Sequence, residues 1–281
     1  MISPHIKFQI ESLEKRLKVL PNDGLKIALF DLDNTLIVGD IGEAVFARLL
    51  ADGKKLGCTW GEYEAFLRSD QTAAYRFIVE AMEGLSIKEV EEATVRVLNQ
   101  HEPVIAVEGK QVPVPRIHRG MRELVFYLRE IGYTDYIISA SNQIAVRIVA
   151  ADFFAIPAER AFGIEMKTCD GVLTSSLIKP FPISSGKQDV FRKRVGNFRP
   201  FITATDSMID APMLALTDPS GLSLWVGKNR REFKRVQERL QLPQQCCFVQ
   251  RPQSYSLRKR VRILGEQWRT AHPSSPLLTE T

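Results

Sequence analysis

From about residue 119 onward the chain alternates short apolar runs with amphipathic segments. That alternation constrains the fold more than any other feature. RGMRELVFYLREIG (119–132) reads as a helix ended by Gly132, DYIIS (135–139) as a buried strand, and NQIAVRIVAAD as a helix capped by Asn142. GKQDVFRKRV is a helix after Ser184-Ser185, PFITAT (200–205) a strand, and SLWV (223–226) a strand leading into a helix from Asn229. The same pattern starts earlier with KIALF, Lys26 to Phe30, which follows the turn residues Asn22-Asp23-Gly24. Strands separated by helices cannot pair as hairpins, so they build a parallel sheet with helices on both faces. FGIEM and GVLTSSL read as an antiparallel hairpin around Asp170-Gly171. Ahead of all this, Ile6, Ile10, Leu13, Leu17 and Leu20 form one helical stripe, suited to packing on the domain body or to a dimer contact.

Between Ile41 and His101 the periodicity is helical throughout, with helices expected near 42–53, 60–69, 72–83 and 87–100. Thr59 with Glu62 and Ser86 with Glu89 have the spacing of capping boxes, in which each side chain satisfies a backbone N–H of the other. Glu102 to Arg116 contains three prolines and cannot continue a helix, so it reads as the return linker of an all-helical insertion. The expected division is a discontinuous core, 1–37 and 117–281, with the insertion at 38–116.

Composition narrows the class. Of 281 residues, 44% are hydrophobic and 25% charged, which gives a core and excludes whole-chain disorder. No apolar run reaches the ~18 residues of a membrane span. The N-terminus carries acidic and basic residues where a signal peptide has an apolar stretch. Four cysteines without a CxxC suit a reduced compartment, and a cytoplasmic location is expected. The net charge of +5 owes much to Arg230, Arg231, Lys234, Arg235, Arg251, Arg258, Lys259, Arg260 and Arg262. Such a run reads as a solvated helix face, the alternative being a polyanion-binding surface.

In parallel sheets ligands bind beyond the carboxyl ends of the strands. Asp31 and Asp33 follow KIALF; Ser139, Ser141 and Asn142 follow DYII; Asp206 and Asp210 follow PFITAT; and Lys187 opens the helix after the hairpin. Each Asp alone could be a cap or a turn residue. Four carboxylates on one edge repel one another, and a hard divalent cation relieves that.

FDLDNTLI, the strand ending in Ser139, Lys187 and TDSMIDAPML, in that order, resemble the four signature motifs of the haloacid dehalogenase superfamily. They span Phe30 to Leu214. The insertion resembles the helical cap of the phosphoserine-phosphatase-like branch, and LIVGDIGEAVF also resembles phosphocholine-phosphatase-like enzymes. The resemblance implies a Rossmann-like α/β core with an inserted helical cap and an Mg²⁺-dependent phosphatase. Asp31 matches the nucleophile and Asp33 the general acid and base. Asp31, the Asp33 carbonyl, Asp206 and Asp210 match the Mg²⁺ ligands. Ser139, Lys187 and the Asn34 backbone match the phosphate contacts. Asp33 favours a phosphoester over a halide, because an alkoxide leaving group needs a proton.

The sequence also departs from those motifs. Thr205 stands before Asp206 where Gly is usual, and a β-branched residue is poor at positive φ. Ile209 stands where Asn often precedes the last Asp. Asp40 and Glu43, with the cap aromatics Trp60, Tyr63, Tyr75 and Phe77, could favour a cationic leaving group, as in phosphocholine, while Arg76 would favour a carboxylate. Ordinary packing is the commoner use of such aromatics. His101 and His118 read as surface residues, and Cys246-Cys247 as the start of a buried strand. The expected partner is a small phosphorylated metabolite, with neither membrane nor nucleic acid, for a monomer or homodimer. A phosphotransferase or mutase on the same scaffold is the nearest alternative, and a basic nucleic-acid-binding protein a more distant one.

Overall fold

The computed structural model describes residues 2–18, 25–228, 230–240 and 246–250. A six-stranded sheet has the order Cys246–Gln250, Leu222–Gly227, Ile202–Thr205, Ile27–Phe30, Thr134–Asn142, Ala161–Ile164. Ile27–Phe30 pairs in parallel with both Ile202–Thr205 and Thr134–Asn142, and Leu222–Gly227 pairs in parallel with both of its neighbours. Ile27, Ala28, Leu29 and Phe30 are all fully buried. That is why this strand reads as a continuous apolar run: both faces are covered. Cys246-Cys247 does open a buried strand, as expected.

Two compact units gather the chain. One holds residues up to Val38, Ile117–Ile138 and the stretch from Ser184; the other holds Gly39–Arg116 and Ser139–Ile183. The segment 139–183, expected in the core, thus groups with the insertion. In the first unit the helix Pro4–Leu17 starts with proline at its first turn, where no N–H is needed, and buries Ile6, Ile10, Leu13 and Leu17. Leu20 of the expected stripe lies outside the described residues. No described helix is long and apolar enough to cross a membrane.

The second unit contains helices Ile41–Ala51, Trp60–Ser69, Gln71–Glu80 and Ile87–Asn99. Both expected capping boxes form. The 102–116 stretch is not a bare linker. Val104–Val107 and Lys110–Pro113 make an antiparallel hairpin whose turn, Glu108-Gly109, has φ values of 46° and 74°. Two positive φ values match the right-handed twist of the strands they join. Pro113 closes the hairpin from its end, where a missing N–H breaks little of the ladder.

FGIEM also divides differently. Ala161–Ile164 belongs to the six-stranded sheet, and the hairpin proper is Met166–Cys169 with Val172–Leu177. A buried amide explains the break. The Gln143 side chain donates to the Ala161 carbonyl at 2.7 Å and accepts from Gly163 N at 2.9 Å. Backbone approaches so closely there that a Cβ on Gly163 would meet the Ser141 carbonyl at 2.6 Å.

Candidate active site

The register sets the site. Phe30 lies opposite both Ala204 and Ile137, so the strands Ile27–Phe30 and Ile202–Thr205 end within a residue of one another, while Thr134–Asn142 runs on past that level and carries Ser139. Asp31 is the next residue, and its N–H donates to the Ala204 carbonyl at 2.9 Å. Three N–H groups, of Thr35, Leu36 and Ile37, then converge on the Leu32 carbonyl and fold the loop tightly. Asn34 takes up the left-handed conformation this turn needs, with φ 57°. Asparagine tolerates it better than most residues.

Asp31 is 3% exposed. One carboxylate oxygen accepts from Lys187 Nζ at 2.6 Å and the other from Thr35 Oγ1 at 2.8 Å. Lys187 is fully buried and reaches Asp210 Oδ2 at 2.9 Å as well. A buried ammonium is costly unless paired, and here two carboxylates share one. Burial pushes the Asp31 carboxyl up to about 7; Lys187 opposes that, and the charges of Asp210 and Asp33 add to it. Burial also acts against the Lys187 ammonium, but Asp210 and Asp31 outweigh it and hold its pKa above the usual value.

Asp206 and Asp210 lie on the loop after Ile202–Thr205. Ser207 shapes that loop: its Oγ accepts from Ile209 N at 3.1 Å and its carbonyl from Asp210 N at 3.1 Å. Thr205 ends the strand in extended conformation, fully buried, and its hydroxyl accepts from Ser207 N. The φ > 0 geometry that would penalise a β-branched residue is not used there.

Ser139 is buried on the strand Thr134–Asn142, and its hydroxyl accepts from Ser141 N at 2.9 Å. Ser141 in turn accepts from Gly42 N at 3.1 Å. A side chain at position 42 would meet that hydroxyl at 2.8 Å, so Gly42 is needed for the contact. The Ser141–Gly42 contact has no local signature, because its partners are 99 positions apart.

Asp40, Glu43 and Arg76 are placed in the second unit. Asp40 caps the helix Ile41–Ala51 by accepting from Glu43 N at 2.8 Å. Glu43 accepts from the Tyr63 hydroxyl at 2.7 Å. Burial, with Glu43 and Asp40 nearby, holds that phenol protonated by raising its pKa. Phe46, Trp60 and Tyr63 are buried against one another, with centroids 5.3 to 6.0 Å apart. They are packing, not an open cage. The Arg76 guanidinium lies over the Phe181 ring at 5.4 Å, and its Nε is buried without a hydrogen-bond partner. His118 departs from the surface position expected of it. It is 5% exposed and caps the helix Arg119–Glu130, its Nδ1 accepting from Met121 N at 3.3 Å.

The donors around Asp31 are all oxygen, and one ammonium does not balance their charge. That surplus suits a hard divalent cation. Among the described residues no three His, Cys, Asp or Glu side chains form a metal cage. Mg²⁺ takes one or two carboxylates and completes its shell with water and phosphate, so the set fits that ion.

A family model described as haloacid dehalogenase-like hydrolase matches residues 28–215. Among solved structures, a protein of unknown function from Bordetella pertussis Tohama I is 15% identical, with a TM-score of 0.61 over 79% of this chain and 98% of that one. A functionally unknown protein from Anaerococcus prevotii DSM 20548 is 18% identical, with a TM-score of 0.58 over 83% and 91%. A phospho-aspartyl intermediate analogue of phosphoserine phosphatase is 18% identical, with a TM-score of 0.53 over 82% and 95%. At these identities the likeness is one of fold. No curated protein matches the chain.

Proposed function

The chain belongs to the haloacid dehalogenase-like hydrolases, and from that premise we propose that it hydrolyses a small phosphomonoester through an aspartyl-phosphate. The observation that carries the reading is the buried Asp31–Lys187–Asp210 chain, with Asp33 two residues from Asp31 on the same loop. An Asp31 oxygen attacks phosphorus, and the bond from phosphorus to the leaving oxygen breaks. Asp33 gives that oxygen its proton. Water then attacks the aspartyl-phosphate, Asp33 takes the water's proton, and the bond from phosphorus to Asp31 breaks to release phosphate. Lys187 offsets negative charge on the phosphoryl oxygens, and Ser139 and the Asn34 N–H bind them. Asp31, the Asp33 carbonyl and Asp206 would hold Mg²⁺, with Asp210 as a ligand or an orienting group. The ion, when bound, neutralises carboxylate and phosphate charge together.

We assign leaving-group selection to the second unit. Asp40 is occupied as a helix cap and Glu43 by Tyr63, whereas Arg76 keeps a buried N–H without an acceptor. A leaving group carrying an acceptor, such as a carboxylate, satisfies it. This reverses the cationic preference that Asp40 and Glu43 suggest from sequence. A phosphate-release screen over phosphocholine, phosphoserine and glycerol phosphate, with and without Mg²⁺, tests both parts. Release from none of them, or full activity after EDTA treatment, removes the reading. A preference for phosphocholine that Arg76→Ala leaves intact removes the Arg76 assignment alone.

A further inference from the structure

The helix Arg230–Leu240 carries a feature that phosphoester hydrolysis does not use. A cavity of about 560 Å³ lies against it, with Arg231, Arg235 and Arg239 on its wall and Met208, Trp225 and Val236 among its lining. The three arginines recur every fourth residue, so they share one helix face and span about 12 Å along the axis. All three are exposed, and among the described residues none is held in an ion pair. Arg230 is used otherwise, its guanidinium lying over the Phe248 ring at 5.8 Å. Among the described residues the cavity's one carboxylate is Asp206, which stands among the proposed Mg²⁺ ligands, so the cavity adjoins the catalytic loop.

A second, independent observation lies in the wall. Trp225 is 1% exposed, and its indole N–H is buried without an acceptor. A buried donor is costly when left unpaired, and an oxyanion would satisfy it. Guanidinium groups match phosphate oxygens two at a time, and three of them in a row match successive phosphates. The volume lies within the ~300–1,000 Å³ of small-ligand sites, and Met208 and Val236 make part of the lining apolar.

We propose that this cavity binds a small polyphosphorylated anion, through Arg231, Arg235 and Arg239 and the Trp225 indole N–H. The site shares Asp206 with the proposed catalytic one and is distinguished from it by the three arginines. Its test uses the full chain in EDTA, with the indole nitrogens of its three tryptophans labelled, and inorganic tripolyphosphate as the probe. Trp225→Phe assigns the Trp225 indole signal. That signal should shift on titration and saturate, at concentrations at least tenfold lower than orthophosphate needs. The triple variant R231A/R235A/R239A should raise half-saturation at least tenfold at an unchanged melting temperature, while Arg230→Ala should change it less than twofold. The same titration should be obtained with Ser139→Ala protein, which lacks a phosphate contact assigned to the catalytic site and so separates the two. An unmoved indole signal, or equal half-saturation in the triple variant, overturns the proposal. So does binding of single-stranded oligonucleotides that is tighter than that of tripolyphosphate and strengthens with length, which would make the face a nucleic-acid surface.

Discussion

Two lysine–carboxylate pairs in this chain have nearly the same geometry and opposite electrostatics. Lys187 meets Asp31 at 2.6 Å, and Lys54 meets Glu89 at 2.5 Å. The Asp31 carboxyl is pushed up to about 7, led by burial. The Glu89 carboxyl is held down at about 2, led by the hydrogen bond from Lys54 and then by those from Ser86. Side-chain exposure separates them, at 4% for Asp31 against 33% for Glu89. Water and two capping N–H and O–H donors stabilise the Glu89 charge, whereas Asp31 shares the Lys187 ammonium with Asp210 and has Asp33 beside it. An ion pair is therefore not a role in itself. The pair that carries an unbalanced charge in a dry place is the one equipped for chemistry.

Four substitutions, from the largest expected effect to the smallest, would break or sharpen that contrast. Asp31→Asn should lower turnover by at least about 10³-fold, because an amide cannot form the acyl phosphate. It should melt no lower than wild type at pH 8, since it removes a charge that burial disfavours. Phosphate release and a thermal melt check both halves. Lys187→Met should destabilise the metal-free protein by about 3–5 kcal/mol at pH 8, by leaving the buried Asp31 and the partly buried Asp210 without their shared cation. The loss should shrink toward pH 5, where Asp31 takes up a proton; denaturant unfolding at the two values measures it.

On the exposed side, Glu89→Gln should cost under about 1 kcal/mol, because solvent screens the pair. The sign of its pH dependence is opposite to that of a raised carboxyl. Its folded pKa lies below the unfolded one, so the contribution is present above about pH 4.5 and fades as pH falls toward 2. Melting curves of variant and wild type should converge across that window. Lys54→Met should change stability by only about 0.2–0.5 kcal/mol. A loss as large as that of Lys187→Met would mean that proximity alone sets the strength of these pairs.

Much of the framework around Asp31 was legible in the sequence, although neither lysine–carboxylate pairing was. KIALF, DYIIS and PFITAT read as buried strands because both of their faces are covered, and the polar residues after them mark the level at which they end. Both capping boxes were visible because their partners lie three residues apart. What escaped were contacts with no local period. Gln143 clamps a strand about 20 positions away, His118 turned from surface residue to buried cap, and Glu108-Gly109 turns a hairpin inside a stretch read as a linker. Trp60 and Tyr63 of the aromatic cluster were visible as residue types, and Phe46 was not singled out. Only burial distinguishes Phe46, Trp60 and Tyr63 as packing, and only the unpartnered Nε singles out Arg76.

Lys187 stands 156 residues after Asp31, which matters during synthesis. At ~5–20 residues per second, the ribosome adds Lys187 about 8 to 30 s after Asp31. Throughout that interval the nascent chain holds Asp31 and Asp33 without the cation that partners Asp31, and Asp206 and Asp210 are added only after Lys187. The chain cannot assemble this cluster on its first half alone, however early that half folds. Chemistry at Asp31 thus waits until Lys187 and Asp210 have been made, and the appearance of activity would time-stamp the closing of this cluster.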